Sequence, residues 1–260
     1  MTTLLISLAA LTAVGAAARS TWSPCGLSML STITPMAERS RDRRWSATAA
    51  WFVLGATLGG ATLGLLAVAG AFAVALLDPP VAVTLGIAAV LAVATAAMDL
   101  GIGTEMPHHR RQVDEVWLDQ YRSWVYGLGF GWQIGTGLST YIMTAAVYLT
   151  VALAALTGAP LVALGICVLF GFVRGLAILL GVRLTVPERL TSFHRRFDLL
   201  GPTVRRVVIG LQMAVAVAAA TGAWGSVGGV TTAGVVVVLG VCTRASFTRS
   251  TSETTLVAKA

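Results

Sequence analysis

Six long apolar runs dominate the chain, at about 47–77, 81–100, 129–157, 160–182, 207–225 and 227–242, behind a mostly apolar, uncharged opening at 2–18. Each except the last is long enough to cross a bilayer core, which takes roughly 20 residues at a helical rise of 1.5 Å. Inside hydrocarbon every backbone N–H and C=O needs a partner within the protein, and only helices or closed barrels supply them throughout. Runs of this length and number therefore predict an all-α, polytopic transmembrane helix bundle. The composition agrees, with 56% hydrophobic and 11% charged residues against about 25% charged in soluble domains.

The connectors give the expected orientation. Breaks at Asp78-Pro79-Pro80, Gly158-Ala159-Pro160 and Gly225 to Gly229 contain no Lys or Arg. The alternate connectors hold nearly all of them: Arg39, Arg41, Arg43 and Arg44; Arg110, Arg111 and Arg122; Arg183, Arg189, Arg195, Arg196, Arg205 and Arg206; Arg244, Arg249 and Lys259. Basic residues collect on the cytoplasmic side. The alternation predicts seven spans in the plasma membrane with the N-terminus outside and the C-terminus in the cytoplasm, or six if the short final run lies along the interface. The opening ends in Ala16-Ala17-Ala18-Arg19, which resembles a signal-peptide cleavage site. It lacks a basic n-region, and cleavage would leave Arg39 to Arg44 outside, so it reads as membrane structure.

A net charge of +7 raises the question of nucleic acid, but the arginines lie between apolar runs and form no groove-binding stripe. The lipid bilayer is the expected partner. His108-His109 and His194 sit beside arginines and lack ligand spacing, while Cys25, Cys167 and Cys242 are too scattered for a metal cage. No metal or cofactor is expected. Residues 1–245 read as one transmembrane domain, and the Ser/Thr-rich 246–260 as a disordered cytoplasmic tail.

Two halves resemble each other. Cys25-Gly26-Leu27-Ser28 recurs as Thr136-Gly137-Leu138-Ser139, preceded by Trp22 and Trp132 respectively. About 30 residues later each half has a glycine-bearing span, at Gly55/Gly59 and Gly171/Gly175, and each ends in an Ala/Val-rich span. This predicts a 3+3 inverted repeat, half-repeats at about 1–100 and 120–225, with a broken first helix in each half. Pro24 and Gly26 are the expected breakers around Cys25. Such repeats place a site at the bilayer midplane. The small residues Gly55 and Gly59, four apart, are the spacing of close helix packing.

Ser23-Pro24-Cys25-Gly26-Leu27-Ser28 in a first span, six core helices in inverted halves and a glycine-containing second helix resemble the membrane module of the DsbD and CcdA thiol-disulfide transporters, in the LysE-type superfamily. The resemblance implies a Cys-bearing motif in the first helix of each half that passes electrons to a thioredoxin-like partner. In this chain the second cysteine of that pattern falls on Thr136, which cannot form a disulfide.

The candidate site residues are Pro24, Cys25, Gly26, Ser28, Thr136, Gly137, Ser139 and Arg174. Arg174 lies near the middle of an apolar run, where exposure to lipid would cost several kcal/mol on insertion scales, so it faces protein or a wet cavity. It either binds an anionic group or is satisfied by Asp99 or by carbonyls of an interrupted helix. The chain contains no nucleotide loop and no hydrolase elbow. Three functions are open: a transporter of a small anionic or zwitterionic solute; a thiol-disulfide oxidoreductase acting through Cys25, the one enzymatic reading; or a non-catalytic membrane scaffold.

Overall fold

A computed structural model describes residues 2–102, 121–139 and 142–257, with side chains as far as 235. The paired His108-His109 and the arginines at 110 and 111 lie outside the described residues. All regular structure among the described residues is helical. In chain order the helices are α1 (Thr2–Ser20), α2 (Pro24–Thr32), α3 (Pro35–Ser40), α4 (Trp45–Leu77), α5 (Val81–Leu100), α6 (Ser123–Gly135), α7 (Ala146–Leu156), α8 (Pro160–Leu176) with a 3-10 extension Ala177–Arg183, and α9 (Pro187–Val257).

Five of these are long and apolar enough to cross a membrane: α1, α4, α5, α8 with its extension, and α9 as far as Val235. They fit a multi-pass membrane protein. Leucines 54, 58, 65, 66, 76 and 77 of α4 are exposed, as a lipid-facing helix requires. Five differs from the six or seven runs read by hydropathy for two physical reasons. The run 129–157 is one apolar stretch but two short helices, α6 and α7, of 13 and 11 residues. The runs 207–225 and 227–242 are two helices joined at a break, where Trp224 (φ −127°) and Gly225 (φ 67°) leave helical geometry; they are taken together as α9, so the last run is not counted as a span of its own. The backbone of α9 continues as helix to Val257, into the Ser/Thr-rich stretch expected to form a tail.

The other breaks follow local chemistry. Asp78 closes α4 in the left-handed region (φ 38°), and Pro79-Pro80 lead into α5. Gly158 (φ 63°) precedes α8, which begins at Pro160, where a proline costs no helical hydrogen bond.

At 33 residues, α4 is about 50 Å long and forms the spine. It runs alongside α6 on one side and α8 on another, α5 packs on α9, and α1 lies against α7 and α8. Glycines allow the closest approaches. A Cβ on Gly131 or Gly135 would sit 2.1 or 2.0 Å from the carbonyl oxygens of Phe52 or Ala56, and one on Gly171 would sit 2.3 Å from the same Ala56 oxygen. Gly55 and Gly59 meet the backbone of α6 in the same way.

The basic segment after α2 folds back on an acid. Glu38 is fully buried and accepts hydrogen bonds from Thr48 Oγ1 and Tyr126 OH, both at 2.5 Å. Arg41 approaches it to 3.9 Å, and Arg43 lies over the Tyr126 ring at 5.4 Å.

Candidate functional site

Between α1 and α2 the chain turns within three residues. Ser23 caps α2, its Oγ accepting from the Gly26 N–H at 3.1 Å, and Pro24 occupies the first helical turn. A Cβ on Gly26 would lie 2.2 Å from the Thr21 carbonyl oxygen, so the turn closes only on glycine. The interruption falls just before Cys25, which is buried at the start of α2. Trp22 anchors the turn: its indole N–H donates to the Phe197 carbonyl at 2.8 Å, and its ring stacks on Phe197 at 4.2 Å.

A second interruption separates α6 from α7. Thr136 ends the helix, Gly137 is in the left-handed region (φ 68°), and regular helix resumes at Ala146. The hydroxyls of Thr136 and Ser139 bond each other, one donating to the other, and the remaining proton goes to the Gln133 carbonyl, which lies 2.8 Å from both oxygens.

Arg174 joins the two interruptions. It projects from α8 with 2% exposure, its guanidinium 5.9 Å from the centre of the Phe170 ring. Cys25 is its electrostatic neighbour. A Cβ on Gly137 would lie 2.9 Å from Phe170, so Phe170 touches both Gly137 and Arg174. Of the expected residues, Cys25, Gly137 and Arg174 thus converge, Pro24 and Gly26 build the first turn, and Thr136 and Ser139 build the second. Ser28 stands further along α2, its carbonyl accepting from Thr32 at 2.8 Å.

Asp99, considered as a partner of Arg174, is held by other groups. One carboxylate oxygen accepts from Thr144 Oγ1 at 2.5 Å and Gln212 Nε2 at 2.7 Å; the other accepts from the Ala145 N–H at 2.7 Å. Its backbone carbonyl accepts from Arg205 Nε and Nη2, at 3.1 and 2.7 Å. Thr144, Gln212 and Arg205 are functional candidates that sequence reasoning missed. A polar amide within the run 207–225 was the available signal.

Comparison with known proteins gives the chain relatives of one kind. It is similar to the MauF proteins. The methylamine utilization protein MauF of Paracoccus versutus is 32% identical over 161 residues, covering 61% of this chain and 59% of the relative. Those of Methylophilus methylotrophus and Methylobacillus flagellatus are 30% and 33% identical over 167 and 163 residues, covering 61% of this chain and 56% and 57% of the relatives. The chain therefore spans less than two thirds of the MauF proteins it matches. No family model and no solved structure matches.

These relatives overturn the resemblance to DsbD and CcdA, since MauF is a different family. The motif that carried the resemblance has a purely local explanation. Ser23 caps, Pro24 starts the helix and Gly26 clears a carbonyl, so any tightly broken helix at this point calls for the same residues. The thiol-relay reading and its thioredoxin-like partner fall with it.

Proposed function

We propose that the chain is a multi-pass membrane protein of methylamine utilization that passes a small anionic solute through a site between its two interrupted helices. The observation that carries this reading is Arg174, buried where the two interruptions meet. An interior cation is retained at such depth when a ligand or path uses it. The similarity to MauF supports the pathway. The charge of the site supports an anion, because the buried side chain that marks it, Arg174, is a cation. An alkylammonium ion would be repelled there.

Within this reading, residues 1–245 form one membrane unit, with 246–260 as its tail. Its halves, about 1–100 and 120–225, are inverted copies crossing the membrane six or seven times, N-terminus outside and C-terminus in the cytoplasm. Support comes from the order of elements: one broken helix precedes α4 and α5, and another precedes α8 and α9. Single cysteines introduced near Asp78, Gly158 and Ser226 should react with an impermeant thiol reagent applied outside, and those near Arg43 and Arg196 should not. Labelling of the arginine-rich positions from outside would reverse the orientation.

Deleting the gene in its host should abolish growth on methylamine, and the wild-type chain should restore it. Arg174→Leu, present in the membrane at wild-type level, should fail to restore growth. Arg174→Lys keeps the charge without the planar donor fork and should restore it only in part. Full growth with the Leu variant would remove Arg174 from the site.

A further inference from the structure

A second buried polar centre lies where α1, α5 and α9 meet the start of α7, and two of its groups lack partners. Arg19, near the end of α1, is 8% exposed; its Nε is buried with no hydrogen-bond partner. Its charged neighbours are Arg205 and Asp99. Asp99 already accepts three donors on its carboxylate and two on its carbonyl. Gln212 is fully buried, and its orientation is fixed because only its NH2 can donate to Asp99. That leaves Gln212 Oε1 buried with no donor.

Both orphans are costly, since a buried polar atom without a partner forfeits the hydration it had in water. They are also complementary, one needing an acceptor and the other a donor. Two guanidinium charges against one carboxylate leave the centre with a single positive charge. One negative charge restores neutrality.

We propose that this junction binds a small oxyacid monoanion that retains an O–H, of the bicarbonate or 2-hydroxycarboxylate class, accepting from Arg19 and donating to Gln212. The assignment stands on Arg19 and Gln212 and is independent of the reading given to Arg174.

The test is thermal unfolding of the purified full-length chain in detergent, at fixed ionic strength and pH, titrated with sodium glycolate, sodium acetate or sodium chloride. Glycolate should raise the melting temperature saturably. Acetate lacks the hydroxyl that Gln212 would receive and should need about tenfold more for half-saturation; chloride should give no saturable rise. Arg19→Gln should abolish the glycolate effect, and Arg174→Leu should keep it. If Arg19→Gln does not fold, Arg19→Lys should raise the half-saturating concentration at least tenfold, the fork being lost. No saturable rise in the wild type would mean that water alone bridges the two groups and would overturn the proposal. A rise undiminished in either Arg19 variant, or one lost only in Arg174→Leu, would overturn it too. Acetate matching glycolate would remove Gln212 from the site.

Discussion

Gly135→Ala should yield little or no monodisperse protein after detergent extraction, although it adds a single methyl group. The new Cβ would lie 2.0 Å from the Ala56 carbonyl oxygen and 2.6 Å from the Ala56 Cα. These are backbone atoms of the spine, which no rotamer change can move. Relief requires α6 to separate from α4 along several turns, because Gly131 is seated on Phe52 one turn away in the same manner. Overpacking a well-filled core typically costs about 1–3 kcal/mol, and a clash between two backbones belongs at or beyond the upper end. Gly165→Ala and Gly210→Ala are the matched controls: both glycines are helical and meet nothing within 4 Å. They should extract as well as wild type or better, since alanine favours helix over glycine by about 1 kcal/mol. Size-exclusion profiles of fluorescent fusions would separate the cases, and a sharp wild-type peak for Gly135→Ala would refute the close α4–α6 contact.

Asp99→Leu should be the most damaging side-chain change. By hydropathy alone it is an improvement, because it removes a charge from α5. In the folded protein it strands the Thr144 hydroxyl, the Ala145 N–H and the Gln212 amide, all of which donate to that carboxylate. It also leaves Arg19 and Arg205 without a counter-charge. Removing one partner from a buried ionic network costs about 3–5 kcal/mol. The Leu variant should melt well below wild type and be cleaved faster by protease near Thr144 and Ala145, which Asp99 ties to α5. Asp99→Asn, which keeps one acceptor oxygen, should fall between. A Leu variant as stable as wild type would show that the network contributes nothing.

Helix ends that depend on local backbone chemistry were legible. Asp78-Pro79-Pro80 and Gly158-Ala159-Pro160 stop and restart helices as the residues dictate, and Pro24 opens α2 next to Cys25. What hydropathy could not reveal is an interruption inside an apolar stretch. Residues 129–157 read as one apolar run by hydropathy, and the break after Gly135 shows instead through the repeated motif Thr136-Gly137-Leu138-Ser139, whose Gly137 is left-handed. The glycine cluster at Gly225 to Gly229 was legible as well: helical geometry is lost at Trp224 and Gly225 (φ 67°), and Gly228 and Gly229 lie back against Ala220 and Thr221. Arg174 announced itself as a charge in an apolar run. The company of Asp99 did not, because its partners stand 45, 46, 106 and 113 residues away, beyond any periodicity. Glu38 was hidden for another reason: it sits among arginines in sequence yet faces Thr48 and Tyr126 in the fold.

The Ala56 carbonyl oxygen is pressed from two directions, by Gly135 of α6 and by Gly171 of α8. Helices that touch through side chains can slide, since rotamers exchange as ridges pass one another; helices seated backbone on backbone are keyed like gears, and a slip of one residue drives a Cα into an oxygen. Helices α4, α6 and α8 are locked into one rigid block by that oxygen and its neighbours. Helices α1, α5 and α9 meet one another differently, through side chains such as Arg205, Gln212 and Leu211, and are not keyed to one another in this way.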